Sequence, residues 1–247
     1  DYNYLQHRKV DVVSSALDFI LPFEKYKITA GAKVSFTNTR NGINYDTSDP
    51  TLVQDDYFRY KEQIYALYAD YSREYSERFS MQLGLRMEHT RTTGISEAKD
   101  TEDKHDYTRL FPTVYLLYSP TDGHALNFSF SNRISRPSQN MVNPFPFYQN
   151  KYTYACGRED LKPSYTYNAE LGYTLKNNFN VSAYYSYSDD VFFQVVDLDA
   201  ETNVTSFLWE NFMQTHAFGL NNSYTFRTKW LQAYAQHGVS YRRTTSS

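Results

Sequence analysis

Apolar and polar residues alternate without a break along Met81-Gln82-Leu83-Gly84-Leu85-Arg86-Met87-Glu88, oily at the odd positions and polar at the even ones. This two-residue period is that of a β-strand with one face in each of two solvents. The same rhythm recurs from end to end. Ile28, Ala30, Ala32, Val34 and Phe36 alternate with Thr29, Gly31, Lys33 and Ser35, and about ten such segments can be traced.

The segments pair off through turns. Leu5 to Leu21 turns at Pro22-Phe23-Glu24 and returns as Lys25 to Thr39. Tyr57 to Ser72 turns near Arg73-Glu74-Tyr75 into Ser76 to Thr93, and Tyr107 to Ser119 turns at Pro120-Thr121-Asp122-Gly123 into His124 to Ile134. Pro163 to Leu175 meets Phe179 to Val196 across Lys176-Asn177-Asn178, and Val204 to Phe226 meets Trp230 to Tyr241 across Arg227-Thr228-Lys229. Between the pairs lie longer polar stretches: Arg40 to Asp56, with Asn41-Gly42 and Asp49-Pro50 as turn signals, Gly94 to Asp106, Ser135 to Lys162, and Asp197 to Asn203. Connections therefore alternate short and long. A transmembrane β-barrel requires this, with short periplasmic turns and longer outer loops; a sandwich imposes no such order. Several segments exceed the roughly 9 to 11 residues that cross a bilayer, so walls rising above the membrane are expected.

Composition changes the picture in one respect. Of 247 residues, 25 are Tyr and 17 Phe, while hydrophobic residues make up only 40% and mean hydropathy is -0.68. No run approaches the roughly 18 to 20 apolar residues of a membrane helix. A barrel strand puts half its residues in a polar lumen, so low hydropathy does not count against a barrel. Tyrosine suits the membrane-water girdle, with an apolar ring and a wet hydroxyl. Net charge is -3 with no basic run, which leaves nucleic acid without an electrostatic footprint. The single cysteine, Cys156, cannot form an internal disulfide.

One aperiodic segment carries motifs. Ile134-Ser135-Arg136-Pro137-Ser138 is followed by Asn143-Pro144-Phe145, by Tyr152-Thr153-Tyr154-Ala155-Cys156-Gly157, and by Leu161-Lys162-Pro163. Proline lacks an amide hydrogen and so ends or begins pairing at Pro137 and Pro163, and Gly157 is read as a residue free to adopt backbone conformations others avoid. This segment resembles the junction of TonB-dependent outer-membrane receptors, in which Arg-Pro follows a strand, Asn-Pro-Phe comes next, and Gly-Asn-Pro-x-Leu-Lys-Pro opens the following strand. Arg158-Glu159 stands where the family has Asn-Pro. Gly84 to Glu88 and Asn168 to Tyr173 also resemble that family's barrel strands.

The resemblance implies an all-β protein: an antiparallel transmembrane β-barrel whose ten or so strands form part of a larger barrel of about 22. It implies residence in the bacterial outer membrane and uptake of a nutrient, whether ferric chelate, vitamin, peptide or oligosaccharide. Outer-membrane lipid and the energy-coupling protein TonB, acting through a plug, would be partners, with a surface lipoprotein as a further one. Residues 1–247 would then be a partial barrel domain, with plug and signal peptide lying outside this chain. A passive porin or adhesion-type barrel is the alternative, and a secreted carbohydrate-binding β-sandwich a more distant one.

Parity supplies the candidate residues. Arg86 and Glu88 share a face opposite Met81, Leu83, Leu85 and Met87. A lipid-facing Arg would cost about 2–4 kcal/mol near mid-membrane, so these charges are expected in the lumen. Arg133 and Glu170 fall with polar neighbours in the same way. Such a wall touches plug or cargo, or is a ladder of charges that satisfies itself. Tyr148, Tyr152 and Tyr154 in the long outer connection are candidates for stacking on a ligand. Arg136, Pro137, Asn143, Pro144, Gly157, Leu161, Lys162 and Pro163 are expected to shape the junction. No catalytic motif, metal set or cofactor fingerprint is present, the acidic run Asp100 to Asp106 reads as a solvated loop, and no enzyme activity is expected.

Overall fold

The computed structural model describes residues 3–46, 56–97 and 99–246. They form one continuous sheet of twelve strands. Strands β1 (Asn3–Pro22), β2 (Lys27–Asp46), β3 (Asp56–Ser76), β4 (Phe79–Ser96), β5 (Thr101–Tyr118) and β6 (His124–Ser135) pair antiparallel in sequence order. The chain then leaves the sheet through a single helical turn, α1 (Gln139–Val142), and a small hairpin, β7 (Phe147–Asn150) and β8 (Thr153–Cys156). It resumes beside β6 with β9 (Ser164–Leu175), β10 (Phe179–Asp199), β11 (Val204–Arg227) and β12 (Gln232–Ser246). Among the described residues β1 and β12 do not pair with each other, and no second sheet exists for a sandwich to close on. The carbohydrate-binding sandwich is thereby excluded.

Strand pairing follows the alternation, but the strands run further than the alternation does. Polar residues 40–46 continue β2, and Asn41 accepts a 3.0 Å hydrogen bond from the Gln6 side chain instead of turning the chain. Asp49-Pro50 lies outside the described residues. The turn expected near Arg73-Glu74-Tyr75 sits at Glu77-Arg78, because β3 continues with the Arg73 guanidinium 4.5 Å from the Tyr75 ring centroid. The acidic run expected as a solvated loop belongs mostly to β5, where Arg91 pairs with Asp106 at 2.9 Å and Lys104 with Glu102 at 2.9 Å. Connections 97–100 and 200–203 are consequently as tight as the turns at the opposite end, and strict alternation of loop length fails. Cross-strand charge pairs and paired backbone can extend a hairpin above any apolar band, so polarity alone did not mark a loop.

Registers sort the side chains. Leu83, Leu85 and Met87 share the outer face with Leu67, Leu110 and Leu171, all of them exposed. The inner face is the one on which the segment between β6 and β9 packs. There, Tyr68 lies across Gly31 and Tyr184 across Gly219: a Cβ on either glycine would fall 2.6 Å or less from the ring above it. The Tyr68 hydroxyl also donates to Asp18.

One seam opens. β5 pairs with β6 only from Thr113 to Tyr118, although it continues up to Thr101. The last pair lies beside Pro112, whose missing amide hydrogen interrupts a ladder. Above that point β5 borders the segment that follows β6.

Candidate functional site

The inserted segment, residues 136–163, is held on the inner face by contacts from both flanks. Arg136, just past the end of β6, donates from Nη2 to Glu88 Oε2 at 2.6 Å and to Thr90 Oγ1 at 3.0 Å, and its Nε lies 3.8 Å from Glu62 Oε2. Arg86 donates to the other Glu88 oxygen at 2.5 Å. The Arg136, Glu62 and Glu88 side chains retain only 19%, 19% and 10% exposure. Charges this dry persist only when paired. The Arg-Pro junction thus acts as an anchor, fixing the start of the segment to β3 and β4.

The far end is tied to β10 and β11. Arg158 bridges Asp160 at 2.8 Å and Glu210 at 2.7 Å. The Asn211 side chain accepts from the Lys162 amide at 2.8 Å and donates to the Lys162 carbonyl at 3.0 Å and the Asp190 carbonyl at 2.7 Å. β8 adds itself to the upper part of β11 as a parallel neighbour, Thr153 opposite Thr205 through Cys156 opposite Leu208. Between the anchors, Val142 and Leu161 bury themselves against Phe58, Phe192 and Trp209.

Within the segment the motif residues hold one another. Asn143 Oδ1 accepts from the Phe145 amide at 3.1 Å, and the Asn143 carbonyl accepts from the Gly157 amide at 2.8 Å. The Pro144 carbonyl receives Lys99 Nζ at 2.7 Å and the Cys156 thiol at 2.9 Å. Burial pushes the Cys156 thiol above its ordinary pKa, which makes it a poor nucleophile. Gly157 is needed for a different reason from the one the sequence suggested. It is not among the positive-φ residues; rather, a Cβ there would sit 2.4 Å from the Asn143 carbonyl oxygen and 2.7 Å from that of Met141.

A cavity of about 370 Å³ lies between this segment and the wall. Pro137, Val142, Leu161 and Pro163 give it an apolar side, while Glu62, Arg109 and Arg136 give it charge. Tyr60, Tyr107 and Tyr165 line it too, and Arg109 donates to the Tyr165 hydroxyl at 3.2 Å with its guanidinium 5.0 Å from that ring. Such a lining can seat an amphiphilic ligand, with rings to stack against and both donors and acceptors at the rim.

Of the residues read from sequence, Arg86, Glu88, Arg133 and Glu170 share the inner face by register. Only Arg86 and Glu88 are brought together with Arg136. Arg133 stands exposed opposite Thr166, and Glu170 borders a shallow polar hollow with Asn127 and Asn180 lower on the wall. Tyr148 and Tyr154 face each other across the small hairpin with centroids 5.5 Å apart, and Tyr152 is 50% exposed beside Lys151. None of the three lines the cavity. Tyr60, Tyr107, Tyr165 and Glu62 were missed. Tracing parity from Glu88 across the β3–β4 and β4–β5 hairpins would have found Glu62 and Tyr107, but that requires the registers.

Comparison with known proteins agrees with this architecture. A sequence model of the outer membrane protein β-barrel family matches residues 1–247. No curated protein matches the chain in sequence. Among solved structures, the copper transporter OprC superposes with a TM-score of 0.71 at 13% identity over 98% of this chain and 39% of that one. The ferric yersiniabactin uptake receptor FyuA from Yersinia pestis gives 0.61 at 16% identity, covering 99% and 37%, and the unliganded ferric citrate transporter FecA gives 0.62 at 13% identity, covering 99% and 37%. The chain spans less than two fifths of the length of these structures, and at such identities the likeness concerns the fold.

Proposed function

Because the chain belongs to the outer membrane protein β-barrel family and resides in the bacterial outer membrane, we propose that it forms part of the wall and outer mouth of a TonB-dependent receptor that imports a nutrient. The observation that carries this reading is the inserted segment. A buried arginine anchor and a stretch of parallel pairing fold 28 residues over the inner face, which supports a receptor that must seat cargo at its mouth.

In this reading Arg86, Glu88, Arg133 and Glu170 line the lumen and face a plug supplied by the rest of the protein, on which TonB pulls. The cavity under the segment meets cargo first. Tyr152, exposed at the hairpin tip, and the paired Tyr148 and Tyr154 contact it from above. The cargo is a ferric chelate, vitamin, peptide or oligosaccharide, and a surface lipoprotein is a natural partner at the same mouth. No reaction is assigned, since the wall binds and passes its ligand unchanged.

The test is accumulation of isotopically labelled compounds from each of these four classes by cells carrying the intact protein, with and without TonB. Accumulation of one class that vanishes without TonB is expected. Equal accumulation in both strains would make the protein a passive pore.

A further inference from the structure

The open seam leaves one strand edge without a partner, and the cavity reaches that edge. β5 pairs with β4 from Thr101 opposite Ser96 to Tyr118 opposite Phe79, but with β6 only from Thr113 to Tyr118. In an antiparallel strand the N–H and C=O of one residue point to the same side, and those of the next residue to the other. The Leu110 carbonyl accepts from the Asn132 side chain on β6 at 3.5 Å, so Leu110 and, by alternation, Thr108, Asp106, Lys104 and Glu102 aim their main chain at the seam. Pro112 has the same parity. Its missing amide hydrogen therefore leaves the ladder to β4 continuous and ends the one to β6.

The inserted segment passes this edge without using it. It meets β5 through inward side chains: His105 Nε2 lies 2.9 Å from the Glu159 carbonyl oxygen, and Thr101 donates to Glu159 Oε1 at 2.9 Å. Among the described residues none bonds to the main chain of Glu102, Lys104, Asp106 or Thr108 on the seam side, and all four are exposed. Lys104 and Asp106 nevertheless line the cavity. Their side chains point outward, to Glu102 and Arg91, so the cavity meets them at the main chain. An unpaired edge of this kind is a template for another strand. From Glu102 to Thr108 it runs roughly 20 Å, the length of about six extended residues.

We propose that the cavity seats its cargo as an extended peptide whose main chain adds to β5 between Glu102 and Thr108. The inference rests on the reading of the cavity as the first seat of cargo, and it selects peptide from the four classes. Main-chain bonds supply affinity that is indifferent to sequence, while alternate side chains supply preference. Those turned inward meet Val142, Leu161 and Pro163, which calls for an apolar residue at every second position. Those between them face outward beside Lys104 and Asp106, where polar residues suit. A ferric chelate or an oligosaccharide carries no ladder of donors and acceptors at the strand repeat.

The experiment measures binding of a dye-labelled hexapeptide of alternating leucine and threonine to the intact protein, purified in detergent from its own membrane, by fluorescence anisotropy. A second compound has the same side chains with the main-chain amides replaced by esters, which keeps the shape and removes every N–H. The amide form is expected to bind about a hundredfold more tightly, three lost hydrogen bonds costing a factor of about five each. Equal binding of the two compounds, or no saturable binding of the amide form, would overturn the proposal without any variant having to fold. Lys104→Pro then tests the place. Like Pro112 it removes an N–H aimed at the seam and keeps the ladder to β4, which amide exchange verifies, and it should weaken the amide form at least fivefold; undiminished binding in the folded variant would overturn the proposal. Binding in detergent requires no TonB. Equal binding of both compounds by a protein that imports through TonB would therefore sink this inference alone, whereas TonB-independent accumulation beside selective binding of the amide form would sink the transport reading alone.

Discussion

The lower half of the sheet and the segment 136–163 solve the same problem in opposite ways. Around Met81 to Met87 every residue has a partner on both neighbouring strands and every side chain is sorted by parity. The rule is general, and any apolar residue of similar size satisfies the outer face. In the inserted segment no period exists, and individual residues do individual jobs: Arg136 neutralises two acids, Asn143 caps two amides, Gly157 admits a backbone, and Asn211 on β11 closes three bonds. The wall is therefore tolerant in detail and strict in pattern, whereas the mouth is strict in detail.

The largest expected effect tests the strict region. Arg136→Met leaves Glu62 without its cation and Glu88 with Arg86 alone in a dry site, and should cost about 3–5 kcal/mol, seen as rapid proteolysis within 139–160 and a lowered urea midpoint. The double variant Arg136→Met, Glu62→Met should recover most of that loss, since Glu88 keeps Arg86 and no carboxylate is left alone; no recovery would mean that Arg136 and Glu62 do not act together. Next in size, Leu85→Arg should destabilise insertion into vesicles by about 2–4 kcal/mol while Gln82→Arg on the inner face should be near neutral. Equal costs at the two positions would break the distinction between faces.

Gly157→Ala comes third, at about 1–3 kcal/mol, because its methyl group meets carbonyl oxygens that cannot swing aside as a side chain would; an alanine at Gly238, whose nearest neighbour is the Asn221 side chain at 2.7 Å, should cost less. Smallest is Asn211→Ala. It removes hydrogen bonds near the surface and should cost about 1 kcal/mol, measured as faster amide exchange at Lys162 with the lower sheet unchanged. If exchange rises throughout the sheet, wall and mouth are one cooperative unit.

Sequence reading succeeded where the comparison says it should. The two-residue period of β4 was legible in eight residues, and the tight turn at Lys176-Asn177 was placed where it lies, both residues taking the positive φ that such turns need. It failed where polar residues pair with polar residues. Arg91 with Asp106 is strand, but nothing in the local alternation distinguishes it from loop. The anchoring role of Arg136 was hidden for a related reason. Its partners on β4 lie 46 and 48 positions away, and only the registers of two hairpins bring them together. For Gly157, the type was readable and the cause was not, because a close approach of backbone leaves no mark on the local sequence.

The parallel pairing of β8 with β11 also fixes an order of events. Residues of β8 are synthesised and delivered to the membrane well before their partners, Thr153 pairing with Thr205 and Cys156 with Leu208, and a parallel neighbour cannot be reached by a simple turn. Neighbouring strands can zip in sequence, but β8 has only the short strand β7 for company until β11 has arrived. Closure of the mouth is thus the late, slow step of assembly, and a chain caught before it would present a finished wall with an unguarded opening.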